Sequence, residues 1–274
     1  MRSLSLYIHW PFCKSRCPYC DFNAHVRDSI DKSAWQKAYL ASLRHYASLT
    51  SDRELQSIFF GGGTPSTMNP SLVDEILNEI RGLWPRPEDI EITMEANPTS
   101  VEIGNFREFQ DSGINRISIG IQSLDDKTLR FLGRQHSAKE GLQALEAARD
   151  IFDNYSFDLI YARPDQTVRE WETELGRALQ YAENHISLYQ LTIEKGTGFF
   201  SDYTKGKFTM PNEDLSAEFY LITRDITAKA GLPAYEISNH AQPGSESLHN
   251  LCYWRYGDYI GIGPGAHGRI TLRG

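Results

Sequence analysis

Residues 3–20 read SLSLYIHWPFCKSRCPYC, a run with the composition of a β-strand (3–10) leading into a segment (13–20) that holds three of the chain's four cysteines in C-x3-C-x2-C spacing. In parallel α/β barrels the chemistry sits on loops at the carboxyl ends of strands, so a cysteine loop directly after the first strand predicts the fold and the place of its site together. Further strand-like runs occur at 57–63, 89–97, 116–122, 155–162 and 185–192. Between them, near 33–49, 71–83, 101–111, 138–150 and 168–182, apolar residues recur at helical spacing. Such alternation specifies a parallel sheet. The class expected is α/β, with a partial, TIM-like barrel of six (β/α) units over about 3–195. Asn69-Pro70, Pro98-Thr99-Ser100 and Ser137 supply helix starts.

After residue 196 the pattern changes to a polar loop (195–212), a long helix (about 213–230), a short strand AYEIS (234–238) and a Gly-rich end, GDYIGIGPGAHG (257–268). This extension reads as part of one domain spanning 1–274, because no linker or low-complexity tract divides the chain. A further C-terminal domain is expected to follow Gly274.

The chain has 274 residues, 40% hydrophobic and 23% charged, a composition of a globular protein with one large core. No apolar stretch approaches the roughly 20 residues of a membrane-spanning helix, and the N-terminal run is too short and too soon interrupted for a secretory signal. The cytoplasm is the compartment expected. A formal net charge of -8 argues against a nucleic-acid partner, which is held by clustered Lys and Arg. Clustered cysteines with one remote Cys252 are not the dispersed, even set of a disulfide scaffold, and they point to metal binding.

Four thiolates would close a zinc site or saturate an iron–sulfur cluster, whereas three leave one metal corner open for a substrate or cofactor. A zinc ion completed by His9 or His25 is the competing reading. Other polar residues fall at strand ends, where a ligand over the cysteine loop would meet them. Gly61-Gly62-Gly63-Thr64-Pro65 closes the second strand and lets backbone approach a ligand. Glu95 ends the third strand and has the chemistry to accept from ribose hydroxyls. Gln122 ends the fourth, Arg134 follows in LGRQH, and Asp158 lies in FDLIYARP.

The cysteine spacing after a first barrel strand, with Tyr19 just before the last cysteine, resembles the radical S-adenosylmethionine (SAM) superfamily. That resemblance implies a 4Fe-4S cluster on Cys13, Cys17 and Cys20, whose fourth iron chelates the amino and carboxylate groups of SAM. The order and context of the strand-end residues are similar to those of the coproporphyrinogen-dehydrogenase-like branch, which implies SAM contacts at Tyr7, Tyr19, Gly62, Gly63, Thr64, Glu95, Gln122, Arg134 and Asp158.

His249-Asn250-Leu251-Cys252-Tyr253-Trp254 resembles the HNxxYW signature of haem-chaperone members of that branch. The implied roles are an axial haem ligand at His249 and stacking faces at Tyr253 and Trp254. Haem, haem-acceptor proteins of respiration and an electron donor are the implied partners. Cys252 is read as a free buried thiol. The alternative within the branch is the oxygen-independent dehydrogenase of porphyrin biosynthesis, with Arg134, Arg163 and Arg269 pairing substrate propionates. Against it, Phe22 stands where that enzyme carries a fourth cysteine, and only twelve residues precede Cys13.

Overall fold

Along most of the sheet's strands, residues alternate between apolar and polar, and the computed structural model, which describes residues 2–27 and 29–271, shows where each set goes. Six parallel strands form the frame: β1 (Arg2–Trp10), β2 (Arg53–Gly62), β3 (Glu91–Ala96), β4 (Arg116–Gln122), β5 (Asn154–Tyr161) and β6 (His185–Gln190). Two short strands from the C-terminal third extend it. β7 (Asn239–Ala241) pairs antiparallel with β6, and β8 (Tyr259–Ile262) pairs parallel with β1, so the sheet has the order β8-β1-β2-β3-β4-β5-β6-β7.

The apolar set, including Leu6 and Ile8 of β1, Ile117 and Ile119 of β4 and Phe157 and Leu159 of β5, is buried in one core cluster. Helices α1 (Lys32–Leu49), α2 (Pro70–Leu83), α3 (Phe106–Ser112), α4 (Ala138–Ile151), α5 (Val168–Ala178) and α6 (Glu213–Lys229) contribute the facing residues, among them Leu43, Ile76, Phe109, Leu145, Trp171 and Phe219. Period-2 strands thus turn their apolar side to period-3.6 helices. The alternate set, including Tyr7, Glu95, Ser118, Asp158 and Ser187, lines cavities instead. A polar interior inside an apolar ring is what makes this barrel a binding vessel and not a packed plug.

Helix starts follow the sequence signals. Asn69 caps α2 through Ser71 N with Pro70 in the first turn, and Ser137 with Glu140 forms a capping box on α4. The expected helix at 101–111 is two pieces, Ser100–Gly104 and α3, and the polar loop 195–212 contains a short helix, Gly198–Thr204, capped by Thr197. The strand expected at AYEIS is a correction. Glu236 Oε1 accepts from Ser238 N (3.0 Å) and Asn239 Nδ2 (2.5 Å), which bends the backbone locally, so the segment keeps only an isolated antiparallel bridge, Ala234 with His240, and the strand begins at Asn239. A last helix, α7 (Leu248–Trp254), joins β7 to β8.

Candidate functional site

Cys13 leaves β1 in a two-residue strand, Phe12–Cys13, paired with His25–Val26, and the loop between them carries Cys17 and Cys20. Neighbouring segments hold this loop closely. Gly63 N donates to Trp10 O (2.7 Å), Thr64 N to Phe12 O (2.8 Å) and Phe199 N to Pro18 O (2.8 Å). A Cβ on Gly63 would lie 2.7 Å from Phe12 O, and one on Gly133 would lie 2.6 Å from Pro18. The helix Gly198–Thr204, within the stretch expected to be a polar loop, therefore backs the cysteine loop, with Phe199 against Tyr19 at 6.2 Å between ring centroids.

All three cysteines are unpaired and half-buried, and they line one cavity with Tyr19, Gly62, Gly63, Thr64, Glu95, Gln122, Arg134 and Asp158. The strand-end residues named from sequence are thus brought together over the loop, except Tyr7, which faces the adjoining cavities. A hydrogen-bonded chain connects two of the sulfurs. Arg134 Nη1 donates to Cys17 Sγ (3.4 Å) while its Nη2 donates to Asn97 Oδ1 (2.5 Å) and Gly120 O (2.7 Å). Asn97 Nδ2 donates to Thr64 Oγ1 (3.1 Å), which donates to Cys13 Sγ (3.3 Å). Donors aimed at sulfur favour thiolate and tune a bound cluster. Asn97 was missed in the sequence, although it lies two residues from Glu95 and is brought to the same strand exit.

Burial pushes the Cys13 and Cys20 thiols up, against the Thr64 hydroxyl at the former and the Phe22 backbone at the latter. Metal binding is what would deprotonate them. The donor set fits a cluster. Three free thiols on one loop line one cavity, the donor chemistry by which thiolates hold separate irons of a 4Fe-4S cube. Of the two candidate zinc partners, His9 has both ring nitrogens engaged, Nδ1 with Tyr7 OH (3.1 Å) and Nε2 with Asn23 O (2.9 Å), and His25 Nε2 is bonded to Asn23 Oδ1 (3.0 Å).

Two acids face each other across the cavity. Glu95 is pushed up to about 8, first by burial, then by the nearby Asp158 charge, with Gly62 N (3.1 Å) opposing. Asp158 rises to about 6 through burial, opposed by Ser187, Arg134 and Arg116. Gln122, at φ 70°, sits in the left-handed region beside an irregularity in the β4–β5 ladder, a strained strand exit of the kind found at functional sites. Gly62 has φ 112°, and a Cβ there would stand 2.5 Å from His9 Cε1. Gly62→Ala is expected to destabilise the fold by about 2–4 kcal/mol, measured as a lower urea midpoint at unchanged slope.

The HNLCYW residues do not share one surface. α7 is anchored at its start by Glu91, which accepts from Leu248 N and His249 N (both 3.1 Å). His249 is 1% exposed, stacked on Phe59 at 5.0 Å, with Nδ1 bonded to Ser57 Oγ (3.0 Å) and Nε2 to Tyr253 OH (2.8 Å). Burial lowers it to about 3. Trp254, in contrast, is 52% exposed. Cys252 is half-buried, not buried, and lies 3.5 Å from Asp258 O. The three arginines proposed for propionates also diverge. Arg163 is paired with Glu174 and Ser123 outside the cysteine cavity, and Arg269 lies over the Tyr256 ring at 4.7 Å.

Residues 7–177 match the radical SAM superfamily model. The chain belongs to the radical SAM superfamily, and membership implies a 4Fe-4S cluster and SAM. Within that class it is 40% identical, over 98% of its length and 71% of the relative's, to the heme chaperone HemW of Escherichia coli strain K12. It is 41% identical to the "Radical S-adenosyl methionine domain-containing protein 1, mitochondrial" of Bos taurus, covering 98% of this chain and 61% of that one. The chain thus spans about three fifths of the mitochondrial relative, and its kin come from bacteria and mitochondria alike. A solved structure of the E. coli coproporphyrinogen III oxidase HemN, a radical SAM enzyme, superposes with a TM-score of 0.82 at 23% identity, over 98% of this chain and 65% of that one, so the fold is shared. Among the described residues no helix is long and apolar enough to cross a membrane.

Proposed function

We propose that this protein is a haem chaperone that holds a SAM-coordinated 4Fe-4S cluster and passes haem to acceptor proteins. The supporting observation is the pairing of a three-thiol loop, with Phe22 where a fourth cysteine would stand, and HemW-like sequence over nearly the whole chain. Cys13, Cys17 and Cys20 would hold the cluster. Glu95, Gln122, Arg134 and Asp158, together with Tyr19, Gly62, Gly63 and Thr64, line the space where SAM would lie. When bound, the pair supplies one-electron chemistry; the protein binds, orients and insulates it.

For haem, the motif residues suggest His249, Tyr253 and Trp254. Both nitrogens of His249 are already bonded, so axial ligation by this residue requires the imidazole to give up Ser57 or Tyr253. Titrating haem into the reconstituted protein is expected to give a saturable Soret shift near one equivalent, weakened at least tenfold in His249→Ala. Absence of binding in the unsubstituted protein overturns the reading. Anaerobic conversion of coproporphyrinogen III would favour the dehydrogenase instead.

A further inference from the structure

Arg116 opens β4 and is 2% exposed, yet among the described residues it makes no ion pair, and neither Nε nor Nη2 has a hydrogen-bond partner. Asp158, in the same cavity, feels the Arg116 charge, but two buried guanidinium nitrogens without a hydrogen-bond partner still carry a desolvation cost and mark a place where something else completes the site. Its side chain lines a cavity of about 200 Å³, together with Ser118, Asp158, His185, Ser187 and Asn239. This cavity is continuous with the cysteine cavity, since Glu95, Ser118 and Asp158 line both. Arg116 is one inward-facing step below Ser118 on β4, about 7 Å deeper into the barrel.

The other polar groups there are already committed. Ser187 Oγ donates to Asn239 Oδ1 (2.7 Å), Asn250 Nδ2 donates to Tyr235 OH (3.2 Å), and His185 is bonded to Ser156 Oγ (2.7 Å) and Tyr235 OH (2.9 Å). Burial holds His185 well below the usual imidazole range, so it adds no positive charge. Of the two acids, Glu95 is held mostly protonated at neutral pH by its burial. Among the described residues that line this cavity, Arg116 alone has buried side-chain atoms without a hydrogen-bond partner.

We propose that this cavity is a carboxylate-binding subsite in which Arg116 receives one carboxylate of a ligand that enters past Ser118 and Asp158. A guanidinium matches a carboxylate in charge and in planar, paired donor geometry. Two sources carry that chemistry: a propionate arm of haem, in which case the inference rests on the haem reading above, or a free short-chain carboxylate.

The test compares the unsubstituted chain with Arg116→Gln and Arg116→Lys, using protohaem, its dimethyl ester and sodium propionate as probes. If the arm is a haem propionate, Arg116→Gln weakens protohaem at least tenfold, leaves the ester within twofold, and Arg116→Lys falls between. If the source is a free carboxylate, propionate raises the thermal midpoint of the unsubstituted chain and not of Arg116→Gln. Failure of both porphyrins to bind, with an Arg116-dependent propionate effect, rejects the haem reading and keeps the subsite. Equal affinity of Arg116→Gln and the unsubstituted chain for protohaem, without a propionate effect, overturns the subsite. An equal loss for protohaem and ester, again without a propionate effect, does so too, because it shows a purely structural guanidinium. Should Arg116→Gln fail to fold, the preference of the unsubstituted chain for protohaem over its ester decides in the same way.

Discussion

Cys17→Ser is expected to reduce the iron retained after anaerobic reconstitution from about four per chain to nearly none, while Cys252→Ser leaves it unchanged. With only three thiols at the site, each removal takes a third of the protein's grip on the cluster, and a serine hydroxyl is not a thiolate at neutral pH. Cys17 also receives the Arg134 guanidinium, so its loss leaves Nη1 without its sulfur acceptor. Cys252 lies on α7 beside Gly257 and does not line the cysteine cavity. Iron and sulfide assays on these two variants, with circular dichroism to show that each folds, provide the measurement. Full iron in Cys17→Ser would contradict the assignment.

The second large effect is acid instability of the metal-free protein. His136 and His240 are lowered to about 4, His249 to about 3 and His185 well below its usual value, all chiefly by burial. A histidine whose folded pKa is depressed contributes stability that is present above about 6.5, its unfolded value, and that is lost as pH falls. Glu95 and Asp158, raised to about 8 and about 6, act in the opposite sense: their contribution is present at low pH and is lost as pH rises toward those values. Between about pH 6 and 4.5 the unfolded chain binds roughly four protons on these histidines against roughly two held by the folded carboxyls. Stability therefore falls by on the order of 3 kcal/mol per pH unit on acidification. At about pH 7 the protons still bound by the unfolded-state histidines fall to roughly the one held by folded Glu95, and above that Glu95 makes stability decline gently toward pH 8. Urea titrations from pH 4.5 to 8 should show a maximum at about pH 7. Glu95→Gln should flatten the alkaline limb, and a profile flat below pH 6 would refute the histidine assignment.

Much of the fold was legible because most of its strands alternate between apolar and polar residues. In RISIGIQ the odd positions 117, 119 and 121 are apolar and the even ones polar or glycine, and the structure sends the first set to the helices and the second inward. The same alternation contained the signal for Arg116, one period before Ser118, but a charged residue at a strand start reads in sequence as an exposed end. Asn97 was hidden for a different reason: its partners Arg134 and Thr64 lie 37 and 33 residues away, and only the convergence of strand exits brings them together. AYEIS failed because its β-like composition is overridden by the Glu236 side chain bonding its own backbone neighbourhood. In HNLCYW the resemblance supplied the residues, but not the fact that His249 faces Ser57 inside the barrel while Trp254 faces solvent.

The most direct test of the central claim, that three thiolates leave one iron open toward the cavity of Glu95, Gln122, Arg134 and Asp158, is electron paramagnetic resonance of the reduced, reconstituted protein with and without SAM. SAM should shift the cluster signal in the unsubstituted chain and leave it unmoved, at the same SAM concentration, in Arg134→Ala that retains its iron. A signal in the unsubstituted chain that SAM does not alter would contradict the account.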